Sequence, residues 1–359
     1  MTEADFLPKT YSGKIIHKKA GWRAPSNIAL VKYWGKREPQ LPMNPSISFT
    51  LDACATTTAL TLEEKKSGER FSYEVIFEGT SSEAFRPKIQ AFFERIGAYL
   101  PFLSEYHMVI ETQNSFPHSS GIASSASGMA ALALCLMDFE RQLKPEMSDT
   151  YFYGKASYLA RLGSGSACRS IRDSLVVWGN HKEIEGSSDF YGTAYPYDVH
   201  PVFKTYHDTI LLVHKGQKQV SSTAGHGLME GHPFAEQRFS QAGENLTRLQ
   251  PILKEGNLRE FMGIVESEAL TLHAMMMTST PYFLVMKPNT LAIINAIWEF
   301  RRETNAHVCF TLDAGANVHL LYPEDEKEGV YGFVKDTLLA YCEEGHHICD
   351  RVGLGAKKV

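Results

Sequence analysis

The chain reads as an α+β protein of two domains, and three observations predict this. Strand-like and helix-like segments interleave along all 359 residues without a regular repeat. Composition shifts over 181–205 to polar stretches bearing glycine and tyrosine and punctuated by Pro196 and Pro201. The length also exceeds what one hydrophobic core usually fills. Together these predict one domain over 1–200 and a second over 201–359.

Each element follows from a local pattern. Residues 1–20 form a polar lead-in ending in a strand. The segment WRAPSNIALVKYWGKREPQLPMNPSISFTLD then places Lys32, Lys36 and Arg37 among apolar residues. Lysines in such a setting either meet an anion or snorkel along their stems to the surface. TTTALTLE and FSYEVIFEG, joined by the charged EKKSGER, predict a β-hairpin over 54–63 and 71–78. A helix is expected from Phe85 to Leu100, and HMVIETQN alternates as a strand. Next comes PHSSGIASSASGMAALALCL, from Pro117 to Leu136, a small-residue loop feeding a helix over 121–140. A helix over 149–162 ends at Gly163, where GSGSACRSIRDSLVVWG forms a second small-residue junction carrying Arg169 and Arg172. The second half opens with the strand DTILLVH and continues through KQVSSTAGHGLM. Helices are expected at 233–254, 257–275 and 289–304, then two apolar runs joined by DAGAN, a helix over 327–343 and a closing strand. The stretch 187–200 reads either as a lid or as a packed excursion.

Composition narrows the function. A formal net charge of −5 gives no basic field for nucleic acid, so an anionic ligand must be held by local donors. MTEADFLPKTYSGKIIHKK lacks a signal-like apolar run, and no stretch approaches membrane-spanning length, so the expectation is a soluble, cytoplasmic chain. Six scattered cysteines fit reduced thiols. Cys342, His346, His347 and Cys349 could hold a metal, but no second pair accompanies them and HHICDRVGL alternates as a strand, which favours simple packing. No metal ligand of protein origin is assigned. GxxxxGK[ST] and a helix-opening GxGxxG are both absent, which removes the P-loop and dinucleotide readings.

The serine-rich loop suits a phosphate, because small side chains let backbone N–H groups and a helix N-terminus approach an anion; an ordinary N-capped core helix is the alternative. Order along the chain decides between them. APSNIALVKYWGKRE, NSFPHSSGIASSASGMAALA, GSGSACRS and LDAGANVHLL, spread from residue 24 to 321, together closely resemble the mevalonate diphosphate decarboxylases of the GHMP kinase superfamily. The resemblance implies a two-domain GHMP kinase-like fold with the active-site cleft between domains. It also implies ATP-dependent decarboxylation of mevalonate 5-diphosphate to isopentenyl diphosphate by way of C3-hydroxyl phosphorylation, in the mevalonate pathway of isoprenoid biosynthesis. ATP and Mg²⁺ are implied with it, as are a small-molecule substrate and a homodimer.

Residue by residue, the resemblance makes Asp313 of TLDAGANVH the catalytic acceptor of the hydroxyl proton; without it, DAG would read as a common turn. Lys32 would keep that carboxylate ionised. Arg169 of SACRS would hold the substrate carboxylate bidentately and act by positioning, since that charge departs with carbon dioxide. Tyr33 and Lys36 are expected at the diphosphate, with Arg86 as a further ligand. Ser166, Ser221 and Ser222 match family serines near the substrate. The ATP phosphates are expected at Ser119, Ser120, Gly121, Ser124, Ser125 and Ser127, with Mg²⁺ neutralising the transferring group.

Departures bear on substrate identity. Ala316 stands where DAGPN has proline, which should loosen a turn. IRDSLVVWG and HKEIEGSSDFYGTAYPYD diverge, and His226 replaces the methionine expected after SSTxG. Two rivals stay open: the same chemistry on mevalonate 5-phosphate, and a small-molecule kinase without decarboxylation. A GHMP-type binding module would be expected to lose Asp313 or the serine loop, and both are present.

Overall fold

The computed structural model describes residues 1–65, 68–117, 122–216 and 222–359, apart from the side chains of Ser222 and Thr223. Its first half runs β1 (Lys19–Val31), a small ladder of β2 (Lys36–Arg37) with β3 (Leu41–Pro42), β4 (Ser46–Glu64), β5 (Ser72–Phe77), β6 (Thr80–Ser81), α1 (Arg86–Ile96), β7 (Tyr106–Asn114), α2 (Ser124–Leu143), α3 (Asp149–Gly163), β8 (Leu175–Trp178) and β9 (Thr193–Ala194). The second half runs β10 (His207–Leu211), α4 (Ser222–Gly227), α5 (Ala235–Glu255), α6 (Leu258–Met277), α7 (Pro288–Thr304), β11 (Cys309–Leu312), β12 (Val318–Tyr322), α8 (Lys327–Asp336), β13 (His347–Arg351) and β14 (Lys357–Lys358).

The larger sheet is ordered β14-β1-β4-β7-β5-β6, with β8 and then β9 added beside the N-terminal part of β4. The smaller sheet is β11-β12-β10-β13, antiparallel throughout. Strand β4 carries β8 on its N-terminal part and β7 on its C-terminal part, and its register against β1 shifts between Thr50 and Ala55. There the buried Asp350 carboxylate accepts three consecutive backbone N–H groups, Asp52 to Cys54, at 2.7–2.9 Å, replacing the ladder bonds lost at the shift.

Two expectations are corrected here. Residues 54–63 and 71–78 are strands, but not a hairpin: β7 lies between them, antiparallel to β4 and parallel to β5. Alternation fixes which face of a strand is buried, not which strand lies beside it. Met108 and Ile110 of β7 join Leu60 and Leu62 of β4 and Tyr73 and Val75 of β5 in one core, a match only the distant strand offers. The 327–343 helix is also shorter than expected, ending at Asp336 and followed by a 3-10 turn over Leu338–Tyr341.

Helix α2 is buried on every side from Ala126 to Glu140, apart from Gly128, as an all-round apolar helix must be. Its alanines let it lie close against the larger sheet, which carries its N-terminus to the cleft described below. The first part of the 187–200 stretch is packed: Trp178 Nε1 donates to the Asp189 carbonyl, Arg161 Nε to the Phe190 carbonyl, and Gly192 N–H to Ser157 Oγ, while Ala194, Pro196, Tyr197, Asp198 and His200 are exposed.

The two halves share a core. Ile28, Val31 and Phe49 of the larger sheet pack in one cluster with Tyr206, Ile210, Leu246 and Phe261 of the second half. Strand β14 also crosses back to pair Lys357 and Lys358 with Arg23 and Trp22 of β1. Among the described residues, no helix is long and apolar enough to cross a membrane.

Candidate active site

A cleft of about 480 Å³ opens where the end of β1, the start of α2, the 3-10 helix Gly165–Ser170 and the β11–β12 turn meet. Lys32 is the residue after β1 and Asp313 the residue after β11, so two strand ends from different sheets deliver them to one point. Lys32 Nζ lies 3.2 Å from Asp313 Oδ1. The lysine side chain is 2% exposed and the aspartate 28%, so the carboxylate alone has an open edge on the cleft. Burial pushes the Lys32 ammonium below its usual range, while Asp313 and, more weakly, Glu268 hold it up.

Arg169 approaches from the 3-10 helix and is 3% exposed. Its Nη1 donates to Ser46 Oγ at 2.7 Å, its Nε reaches Asn27 Oδ1 at 3.4 Å, and its guanidinium lies 5.6 Å from the Trp178 ring. Among the described residues it has no carboxylate within ion-pair distance. A buried arginine held only by neutral groups, on the wall of a cleft, is arranged for an anion that arrives with a ligand. Gly165 is required at the bend before it, because a Cβ there would sit 2.9 Å from Trp178 and 3.0 Å from Tyr33 Oη.

Tyr33 packs between Trp178 and His226, at centroid distances of 4.5 and 4.2 Å, and burial raises its phenol above the usual value. His226, the departure noted after SSTxG, accepts the Gly35 N–H on Nδ1 at 3.0 Å and also lies against Trp34, 4.6 Å between centroids. It thus ties α4 to the KYWGK run. Lys36 is mostly buried and bonds Glu38 at 3.0 Å and Gln40 at 3.2 Å. Ser166 lines the cleft, and its carbonyl accepts from Asn27.

Ser124 and Ser125 open α2 on the cleft wall, preceded by Ala123 in the left-handed region at φ 43°. Their position presents the unsatisfied N–H groups of a helix start to whatever occupies the cleft. Ser127 is different from the expectation: fully buried, its Oγ bonds Thr56 Oγ1 at 2.6 Å and the Ser124 carbonyl at 3.2 Å, so it braces the wall rather than lining it. Ser119, Ser120, Gly121 and Ser221 lie outside the described residues, as does the side chain of Ser222.

Arg86 is also placed elsewhere. Its guanidinium stacks 5.1 Å from the Tyr73 ring and pairs with Glu69 at 3.8 Å, off the cleft wall. The sequence reading missed Lys88, two residues on, which lines the cleft instead. Lys88 keeps an exposed surface inside the cleft, whose surrounding walls push its ammonium down to about 8, and it has no ion-pair partner among the described residues. Around it, Val75, Phe77, Phe85, Ile89 and Ile110 make an apolar arm of the cleft. The sequence signal was present, a lysine in the first turn of an amphipathic helix, but it did not separate Lys88 from Arg86.

The turn after Asp313 is held despite its missing proline. Ala316 is buried, and its carbonyl accepts Thr290 Oγ1 at 2.7 Å. Asn317 meanwhile bonds both the N–H and the carbonyl of His214. Near the C-terminus, Cys342 Sγ donates to the Leu338 carbonyl and His346 Nδ1 lies 3.0 Å from the Glu343 carbonyl. No group of three or more His, Cys, Asp or Glu among the described residues is placed to hold a metal.

Residues 24–190 match the family model for the diphosphomevalonate decarboxylase-like N-terminal domain, and 209–352 that for the mevalonate 5-diphosphate decarboxylase C-terminal domain. Diphosphomevalonate decarboxylase of Gibberella zeae is 30% identical over 332 residues, covering 88% of this chain and 83% of the relative. The chain belongs to the diphosphomevalonate decarboxylase family. Its counterpart from Saccharomyces cerevisiae is 31% identical over 87% of this chain and 79% of its own length. Mevalonate diphosphate decarboxylase from Staphylococcus aureus superposes with a TM-score of 0.81 at 27% identity, over 95% of this chain and 98% of that one. A solved complex described as MDDEF with MVAPP, AMPPCP and magnesium superposes equally well, at 28% identity over 95% and 98% of the two chains. The family's mixed helix-and-sheet GHMP-type architecture is thus the architecture of this chain.

Proposed function

We propose that this chain catalyses the ATP-dependent decarboxylation of mevalonate 5-diphosphate, yielding isopentenyl diphosphate, ADP, phosphate and carbon dioxide. The observation that carries the reading is the disposition of charge in one cleft: a Lys32–Asp313 pair with only the carboxylate open, and a buried Arg169 that has no carboxylate partner among the described residues. A free guanidinium beside the proton acceptor suits a substrate that carries its own carboxylate next to the reacting hydroxyl. The solved complex with MVAPP, AMPPCP and magnesium supports the same substrate classes.

Asp313 accepts the C3-hydroxyl proton as the phosphoryl group arrives, when the hydroxyl becomes acidic enough to part with it. Lys32 keeps the carboxylate anionic until then. Arg169 holds the substrate carboxylate in the plane that aligns the breaking C–C bond with the C3–O bond. The electron pair of the C–C bond becomes the double bond, and phosphate leaves with the pair of the C3–O bond. Lys36 and Tyr33 hold the diphosphate, Lys88 offers a further cation to an anionic ligand from the apolar arm, and Ser166 and Ser222 border the substrate. Ser124 and Ser125, with Ser119, Ser120 and Gly121 before them, hold the nucleotide phosphates.

The residues present fit Mg²⁺ as well. Asp313 is the one carboxylate on the described cleft wall, and magnesium keeps phosphate oxygens and waters as its main ligands, so serine hydroxyls and phosphates suffice. When bound, Mg²⁺ neutralises charge on the transferring phosphoryl group. The retained Lys36, on the cleft beside Tyr33, favours a diphosphate over the monophosphate substrate. We read the protein as a cytoplasmic homodimer; a monomeric sedimentation coefficient would remove the second part.

Product analysis with ATP and Mg²⁺ tests the reading, with the 5-diphosphate and the 5-phosphate run side by side. Carbon dioxide stoichiometric with ADP from the diphosphate alone is expected. Carbon dioxide from the monophosphate would overturn the substrate, and ADP without carbon dioxide would make the enzyme a kinase.

A further inference from the structure

Helix α6 touches both members of the Lys32–Asp313 pair through their backbones. Glu268, fully buried, accepts the Lys32 N–H on Oε2 at 2.9 Å. The same carboxylate is gripped by the buried Arg238 of α5 through both Nη atoms, and Asn245 donates to its Oε1 at 2.7 Å. Arg238 Nη2 also donates to the Lys32 carbonyl at 3.1 Å, beside Asn44 at 2.9 Å. Both sides of the Lys32 residue are therefore pinned to α5 and α6.

Five residues further along α6, His273 meets the other partner. Its Nε2 lies 3.1 Å from the Asp313 carbonyl oxygen. A carbonyl only accepts, so Nε2 carries the proton and the ring is the donor. Burial lowers the imidazole to about 4, so it stays neutral and keeps this tautomer across the working pH range.

From these contacts we infer that Glu268 and His273 are positioning residues, and that α6 acts as a ruler fixing the separation and aim of the Lys32 ammonium and the Asp313 carboxylate. The inference rests on the functional reading above and adds to it. Lys32 and Asp313 are 281 positions apart in sequence and come from different sheets. One rigid helix bonded to both peptides sets their spacing independently of the side-chain ion pair. A misplacement of about 1 Å in a reacting group can cost on the order of 100-fold in rate, so the ruler should act on turnover.

The test compares the unsubstituted enzyme with His273→Gln and His273→Leu, reading kcat and KM for both substrates together with the thermal midpoint. The glutamine amide can still donate from a position near Nε2, and leucine cannot. Expected are a kcat about 10- to 100-fold lower in His273→Leu with both KM values within about threefold, and recovery to within about fivefold in His273→Gln. If His273→Leu does not fold, His273→Asn, whose amide falls short by one methylene, replaces it with the same expectation. Unchanged kcat in the leucine or asparagine variant, or equal losses in the glutamine and leucine variants, overturns the ruler. A parent enzyme that itself releases no carbon dioxide would instead overturn the functional reading.

Discussion

Two lysine–carboxylate pairs with buried ammonium groups occur among the described residues, and they do opposite things. Lys155 of α3 and Glu140 of α2 are sealed, with side chains 0% and 2% exposed. Lys155 also donates to the Tyr99 carbonyl at 3.0 Å, and the Tyr11 hydroxyl donates to Glu140 at 3.1 Å. Burial raises the glutamate and lowers the lysine, and the charge of each opposes that shift in the other. Lys32 and Asp313 repeat the chemistry with one wall removed. A pair closed on all sides joins two helices; a pair whose carboxylate keeps an open edge can exchange a proton with a ligand.

Exchanging charge for an isostere in each pair should separate the roles. Asp313→Asn is expected to lower kcat about 1,000-fold and to lower the urea midpoint less than the change at Glu140 does, because Lys32 keeps the weaker support of the Glu268 charge and the cleft beside it is open to water. Glu140→Gln is expected to keep kcat per folded molecule and to lose about 3–5 kcal/mol of stability, because Lys155 is left buried without its counter-charge. Urea titration and steady-state kinetics on both proteins would break the comparison if the losses were exchanged. A sharper form replaces the sealed pair outright: Lys155→Met with Glu140→Leu should recover most of that stability, to within about 2 kcal/mol of the parent.

The smallest expected effect lies at the other end of the cleft. Lys88→Met should raise KM for the anionic substrate about tenfold with little change in kcat, the signature of lost uniform binding. Its charge is present below about pH 8 and is lost as pH rises through that value. In the parent, kcat/KM should therefore fall above about pH 8, and in Lys88→Met that limb should flatten.

Much of this was legible in the sequence, and the failures have physical causes. Periodicity located β7, α3 and α5 to α7 closely, because each buries a face along its own length, and an unbroken alanine–leucine run located α2, which is buried all round. Periodicity misassigned the partner of β5, since a strand's neighbour depends on core residues tens of positions away. Arg86 and Lys88 both flank the buried stripe of Ile89, Phe92, Phe93 and Ile96. Only the Tyr73 ring on β5, which takes the Arg86 guanidinium, decides which cation turns to the cleft. Ser127 follows Ser124 by three residues on one helix, yet it faces the Thr56 hydroxyl behind the wall. The α6 anchors gave no motif at all, since Glu268 and His273 act on peptide groups rather than on a ligand.

The core shared between the halves has a consequence for dissection. Chain scission in the connecting segment near residue 200 would leave each fragment with an uncovered oily seam, Phe49 and Ile28 on one and Phe261 and Leu246 on the other. Such fragments should precipitate when produced singly and regain solubility when produced together, because the missing solvent shield for each is the other fragment.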